Sequence, residues 1–314
     1  MEGRRNALLL ACAVIGVYLI STLFHGDRKA AWSIQATNLL AIATPCASAV
    51  TINPDPALHG QINITATARN KSEITQLESH GGAAALLSGA GSHCLGASAC
   101  TETQSICAGT PDDPTLKLTI SVPETIAIDI TEAQGAEYNI GNVGGPLTLN
   151  LSGTGDVADA GATSLDATLT GSGDAHLATV TGPVNATLSA RGDLDIDAAA
   201  APSSNLTLNG EGDVNVSAGS LGALTATLSH DGDLHVPQTG SATLMLTGDG
   251  DVDIDQIHGN LKATLTSDGD LSVYIVTGDA VLSSSGDGDV TIPKVAGHLT
   301  QSNTGDGDFK INGS

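Results

Sequence analysis

The sequence predicts an all-β chain folded as a parallel β-solenoid, or β-helix, with about 19 residues per rung. Three observations carry that prediction. Gly-Asp followed by an apolar residue recurs nine times, at Gly155, Gly173, Gly192, Gly212, Gly232, Gly250, Gly269, Gly288 and Gly307. The spacing between these glycines is therefore nearly constant from one copy to the next. A fixed period of one supersecondary unit marks a stacked repeat. Around each glycine, taken as position zero, apolar residues hold fixed places. Aromatic residues make up only 2% of the chain, against 38 glycines. A core of Val, Ile, Leu, Ala and Thr suits narrow, regularly stacked strands better than a conventional globular interior.

From the N-terminus, two arginines precede an apolar run from Ala7 to Phe24, which predicts a signal-anchor or signal peptide over residues 1–28. His25 to Lys29 gives a charged flank, and Ala47-Ser48-Ala49 lies too far downstream for ordinary cleavage, which favours the anchor. Residues 29–115 form an N-terminal β lead-in region with a Cys-containing insert at about 73–114. Val50-x-Ile52 and Ile62-x-Ile64 alternate as strands do, and Gly60 to Ile64 reads as an early repeat with Gln61 in the Asp slot. The insert is rich in Gly, Ala and Ser. Beyond the apolar run lie four cysteines, Cys46, Cys94, Cys100 and Cys107. An even number in an exported segment predicts two disulfides of open connectivity. A zinc site joining them to His93 is the alternative, but the gaps are wider than the usual knuckle spacing.

Residues 116–314 are the solenoid proper. Leu116, Leu118, Ile120 and Val122 alternate up to Pro123, and Ile126, Ile128 and Ile130 alternate again. Ala136 to Ile140, one period before Gly155, is a degenerate first rung with Glu137 in the Asp slot. Position +2 is apolar in all nine copies, and position +4 in every copy but Asp159. Position −4 is Leu in seven copies, from Leu151 to Leu265, and position −5 is usually Thr. Each period thus holds two short strands on either side of the Gly-Asp turn, and parallel stacking would bury their apolar columns. Ser284, Gln301 and Asn303 break the pattern in the last two rungs, as a polar cap should. Ten rungs at about 4.8 Å give a rod of roughly 45–50 Å.

In-register stacking places the repeat aspartates in one column and adds a second column two residues earlier in the last five rungs. The paired positions are Asp231 with Asp233, Asp249 with Asp251, Asp268 with Asp270, Asp287 with Asp289, and Asp306 with Asp308. From Leu147 onward there are 22 acidic and 4 basic residues. Carboxylates about 4.8 Å apart repel by roughly 1 kcal/mol even in water. The expected compensation is that each Asp accepts backbone N–H groups of its own turn. Ca²⁺ held between the two columns is the sharper alternative, by likeness to Gly- and Asp-rich nonapeptide repeats, although here the motif comes only once per rung. The whole-chain charge of −23 argues against nucleic acid or anionic membrane as a surface partner. Arg191-Gly192-Asp193 follows from one Arg beside the repeat. The Asn150, Asn185, Asn205 and Asn215 sequons follow from Asn alternating with Ser or Thr. No nucleophile–base or zinc-peptidase pattern is present, so no catalytic residue is assigned.

The strand Leu118-Thr119-Ile120-Ser121-Val122-Pro123 followed by Ser/Gly-x-Gly-Asp-Val/Leu-x-Val/Ile turns resembles the bacterial putative auto-transporter adhesin, head GIN domain family. The likeness covers roughly Trp32 to Ser314 and is strongest from Leu116. It implies a right-handed parallel β-solenoid at the cell envelope, with no established catalytic residues; the Cys-bearing insert departs from it. The expected function is a non-enzymatic, extracytoplasmic solenoid, periplasmic or at the cell surface, held to the inner membrane by its N-terminal helix. Its flat sheets would bind an envelope component, glycan or protein. A carbohydrate-active β-helix enzyme is one alternative, but the solenoid from Leu147 onward offers only Tyr274 and Phe309 as sugar platforms. A structural module that oligomerises by contacts between solenoid ends is the other.

Overall fold

A computed structural model describes residues 29–36, 38–44, 48–68, 74–75, 109–110, 113–114, 116–133 and 135–313 of the chain. The segment predicted as a signal-anchor helix or signal peptide, residues 1–28, and Cys46, Cys94, Cys100, Cys107 and His93 lie outside the described residues. Among the described residues no helix is long and apolar enough to cross a membrane.

Two sheets face each other across a core one side chain deep from each. The long sheet has 15 strands and the short sheet 11 among the described residues. A rung contributes one strand to each: Pro146–Leu151 to the short sheet and Val157–Asp159 to the long one, with the Gly-Asp corner between them. Rungs pair in parallel and in register, Leu147 to Leu165 to Val184 on one sheet and Val157 to Ala175 to Leu194 on the other, with a register shift between Ile292 and Val295 against the last strand. The expected columns are therefore the core. Leu151, Leu169, Leu188, Leu208, Leu228, Leu246 and Leu265 are buried to 0% exposure. Burying such a side chain contributes about 1.5–3 kcal/mol, and stacking lets each rung bury the next one's.

The long-sheet strands also carry an inward column that simple alternation does not predict. After position +4 two residues in succession leave the core, as in Ala175–Val180 and Val252–Ile257, and the following residue turns back in. Val180, Ile257, Val276 and Val295 fill that third column.

The N-terminal end departs from the sequence reading in two ways. Leu39–Thr44 and Ser48–Pro54 form a complete rung ahead of the degenerate one, pairing in parallel with Ala127–Glu132 and with Glu137–Ile140. Gln61–Ala68 is not a rung. It runs antiparallel to both Lys29–Gln35 and Leu116–Val122, because the chain reverses at Asp55 to Gly60 rather than turning a solenoid corner. Gly60 takes a left-handed φ of 74° in that reversal. As a result the long sheet continues past Ser48–Pro54 through Leu116–Val122, Gln61–Ala68 and Lys29–Gln35, whereas the short sheet stops at Leu39–Thr44. Trp32, Ile64 and Ile120 on this extension are buried.

Candidate functional site

The Gly-Asp corner is built by close approach. A Cβ on Gly250 would lie 2.2 Å from the carbonyl oxygen of Gly232 one rung below, and on Gly288 2.1 Å from that of Gly269. Only glycine lets successive corners nest at strand spacing. The aspartate that follows holds the nest together, although not as expected. Its Oδ1 accepts the N–H of the aspartate in the next rung instead of capping its own turn. Asp156 accepts from Asp174 at 2.9 Å, and the relay runs through Asp193, Asp213, Asp233, Asp251, Asp270 and Asp289 to Asp308 at 2.7–2.9 Å. Main-chain bonds run alongside, such as Val157 N–H to the Asp174 carbonyl at 2.8 Å. Each carboxylate from Asp156 to Asp289 therefore spends one oxygen on a charge-assisted bond, which offsets part of its repulsion from the next.

The column's ionisation follows its surroundings. Burial raises the pKa of Asp193 above the usual carboxylate value, opposed by the Asp213 amide and reinforced by neighbouring carboxylates. At the far end the Asp308 amide and the Lys310 ammonium hold Asp289 below it, with Lys310 Nζ 3.1 Å from Asp289 Oδ2.

The second column comprises Asp231, Asp249, Asp268, Asp287 and Asp306, and register places Glu211 in it as well, a position the sequence reading omitted. Asp306 N–H donates to Asp287 Oδ1 at 3.3 Å. Among the described residues no group of three or more His, Cys, Asp or Glu side chains is arranged to hold a metal ion. The Arg191-Gly192-Asp193 tripeptide is spent in the stack: Arg191 Nε donates to Glu211 Oε2 at 2.8 Å, and Asp193 Oδ1 takes the Asp213 amide.

A shorter relay on the opposite corner escaped sequence reading. Asn260 Oδ1 accepts from Asp279 N–H at 2.9 Å, and Asp279 Oδ1 from His298 N–H at 2.8 Å. The signal was available, since these residues also recur at rung spacing, but three different residue types hide it. Glu132 was missed as well. It is buried, stands in the Leu column and accepts the amides of Gly135, Ala136 and Gly155. Its place four residues before Ala136 marks it as the core slot of the degenerate rung. Asp159 lies inward between Ile140 and Leu177 with Oδ1 on the Gly161 amide at 3.0 Å. Burial pushes its pKa up to about 6, opposed by the Gly161 and Ala160 amides.

The two outward faces differ in chemistry. The long-sheet face carries Asp195, Asp197, Asp253 and Asp255 beside the Asp column, with His176 3.3 Å from Asp197 and His235 3.5 Å from Asp253. Near its N-terminal end lies a shallow depression of about 450 Å³, floored by Ala49, Thr51 and Ala158 and edged by Asp156, Asp174 and His176. The short-sheet face presents Thr, Asn and Ser. Its two central columns run Thr148, Asp166, Asn185, Asn205, Thr225, Thr243, Lys262, Val281, Thr300 and Asn150, Thr168, Thr187, Thr207, Thr227, Met245, Thr264, Ser283, Ser302. Of these only Asp166 and Lys262 are charged, and register continues the first column to Asp129, a third charge, one rung before Thr148.

No curated protein and no solved structure is a match to this chain. Residues 102–240 match the family model described as "Putative auto-transporter adhesin, head GIN domain".

Proposed function

We propose that this protein is a non-enzymatic, extracytoplasmic surface module whose β-solenoid presents flat faces for binding. The observation that carries the reading is the aspartate relay. Eight of the nine repeat aspartates, Asp156 to Asp289, each give an oxygen to the next rung's amide, so the motif is spent on holding rungs together. What is left for a partner is the pair of long, regular outward faces. The family's description as an adhesin head domain supports both the surface location and the absence of catalysis. In this reading residues 1–28 anchor the chain in the inner membrane, 29–115 and 116–314 lie outside it, and Cys46, Cys94, Cys100 and Cys107 pair as two disulfides.

The solenoid ends support a single copy over end-to-end assembly. At one end the long sheet runs three strands past the short one, and at the other Gln301 and Asn303 face water. A second copy would therefore pair on one sheet only. The full chain, expressed in a bacterial host, should be cut by protease added to intact cells or spheroplasts. It should stay with the membrane fraction and scatter light as a monomer after detergent extraction. Complete protection in spheroplasts would overturn the reading.

A further inference from the structure

We infer that the short-sheet face is the binding surface and that its ligand is an uncharged polysaccharide lying along the solenoid axis. This rests on the surface-module reading above and names its partner. The argument starts from where the charge sits. Of the 22 acidic residues from Leu147 onward, nineteen lie on the Gly-Asp corner or the long-sheet face, Asp159 is buried, and only Asp166 and Asp279 are on the short-sheet side; ahead of them Asp129 adds one carboxylate at the N-terminal end of that face. A cationic partner would be drawn to the acidic rail. An anionic polymer would be repelled from the whole body at separations comparable to the Debye length. A face that is nearly neutral between such flanks selects for a neutral ligand.

Shape and donor chemistry narrow it further. A protein partner is recognised through a desolvated core of aromatic and aliphatic anchors. Among the described residues of this face the exposed large apolar side chains are Leu39, at its N-terminal edge, Met245 and Val281, the last two set amid hydroxyls and amides. Thr and Ser hydroxyls and Asn amides both donate and accept, as the hydroxyls of a sugar chain do. In-register parallel pairing repeats them at about 4.8 Å along the axis, so an extended polymer meets the same contacts rung after rung. Each contact exchanges one hydrogen bond to water for another and gains little. Many in series, on a face rigid before binding, give useful affinity. Met245 and Val281 supply apolar surface for the C–H faces of sugar rings.

The test uses the purified full chain with cellulose, chitin and soluble dextran as uncharged probes, alginate as an anionic probe and polylysine as a cationic one. The chain should be retained by at least one uncharged polysaccharide, with little effect of salt. Thr187→Glu, Thr207→Glu and Thr227→Glu combined should weaken retention by at least about tenfold. These side chains are on the outward face, and unchanged circular dichroism and melting would show the fold intact. Asp195→Asn with Asp253→Asn, on the opposite face, should leave retention unchanged. Retention that survives the threonine changes, or binding to polylysine alone that salt abolishes, would overturn the proposal. So would failure to bind any uncharged probe. Surface exposure measured by protease on cells is independent of all these outcomes, so loss of the ligand assignment is distinguishable from loss of the surface-module reading.

Discussion

Glu132 and Asn303 occupy the same slot of the repeat, the inward Leu position four residues before the corner, near opposite ends of the stack. Both turn that slot from packing to capping. The Glu132 carboxylate accepts the Gly135 and Ala136 amides of its own corner and Gly155 of the next. Asn303 accepts from Gly305 N–H at 3.0 Å and donates to the Gly307 carbonyl at 2.6 Å.

Their environments set different outcomes on substitution. Glu132 is fully buried, so Glu132→Ala strands several amides away from water and should lower stability by about 2–4 kcal/mol. Asn303 faces solvent, and Asn303→Leu should change stability by less than about 1 kcal/mol. It should also promote self-association by making the exposed last strand apolar. Urea unfolding and light scattering check the two halves.

Asp159 should impose a pH dependence opposite to that of most carboxylates. Its pKa is about 6 when folded against 3.8 unfolded, so the folded state binds the extra proton between those values. Its favourable contribution is complete below about pH 4 and is lost as pH rises through about 6, a swing of about 3 kcal/mol. Asp159→Asn should be more stable than the native chain at neutral pH and nearly equal to it at about pH 4. Paired urea titrations across that range measure the difference. A constant difference at all pH values would refute it.

The relay predicts a positional effect along a single column. Asp213 supplies the acceptor for Asp233, whereas among the described residues Asp308 accepts no amide of a further rung. Asp213→Ala should cost about 1 kcal/mol and Asp308→Ala close to nothing. Asp213→Asn keeps an oxygen in place and should recover most of the loss. Equal effects at both ends would mean that the carboxylates act through charge alone.

Glycine is required at the corner for space. Gly250→Ala would drive a methyl carbon to 2.2 Å from the Gly232 carbonyl, with another rung above, and should cost more than about 4 kcal/mol or split the stack. Gly60 has nothing within 4 Å of its Cβ position and only its φ of 74° to satisfy, so Gly60→Ala should cost about 1–2 kcal/mol. Thermal melting of the two variants separates close approach from backbone conformation.

Within the solenoid the sequence by itself determined the period, the Gly-Asp corner, the inward columns at +2, +4 and −4, and the polar C-terminal rungs. Each of these repeats locally, and a β period of two makes the face of every residue readable from its neighbours. The direction of Gln61–Ala68 was decided by pairing with Lys29–Gln35 and Leu116–Val122, partners remote in sequence. Long-range pairing also made a rung of Leu39–Thr44 and Ser48–Pro54, which carry no Gly-Asp signature. The destination of the Asp oxygens was decided there too. A turn read alone offers its own amides, and only stacking brings the next rung's N–H to 2.7–2.9 Å. Charge segregation between the two faces has the same origin. The sequence alternates acidic stretches with Thr- and Asn-rich ones once per rung, and register gathers each kind onto one side of the rod.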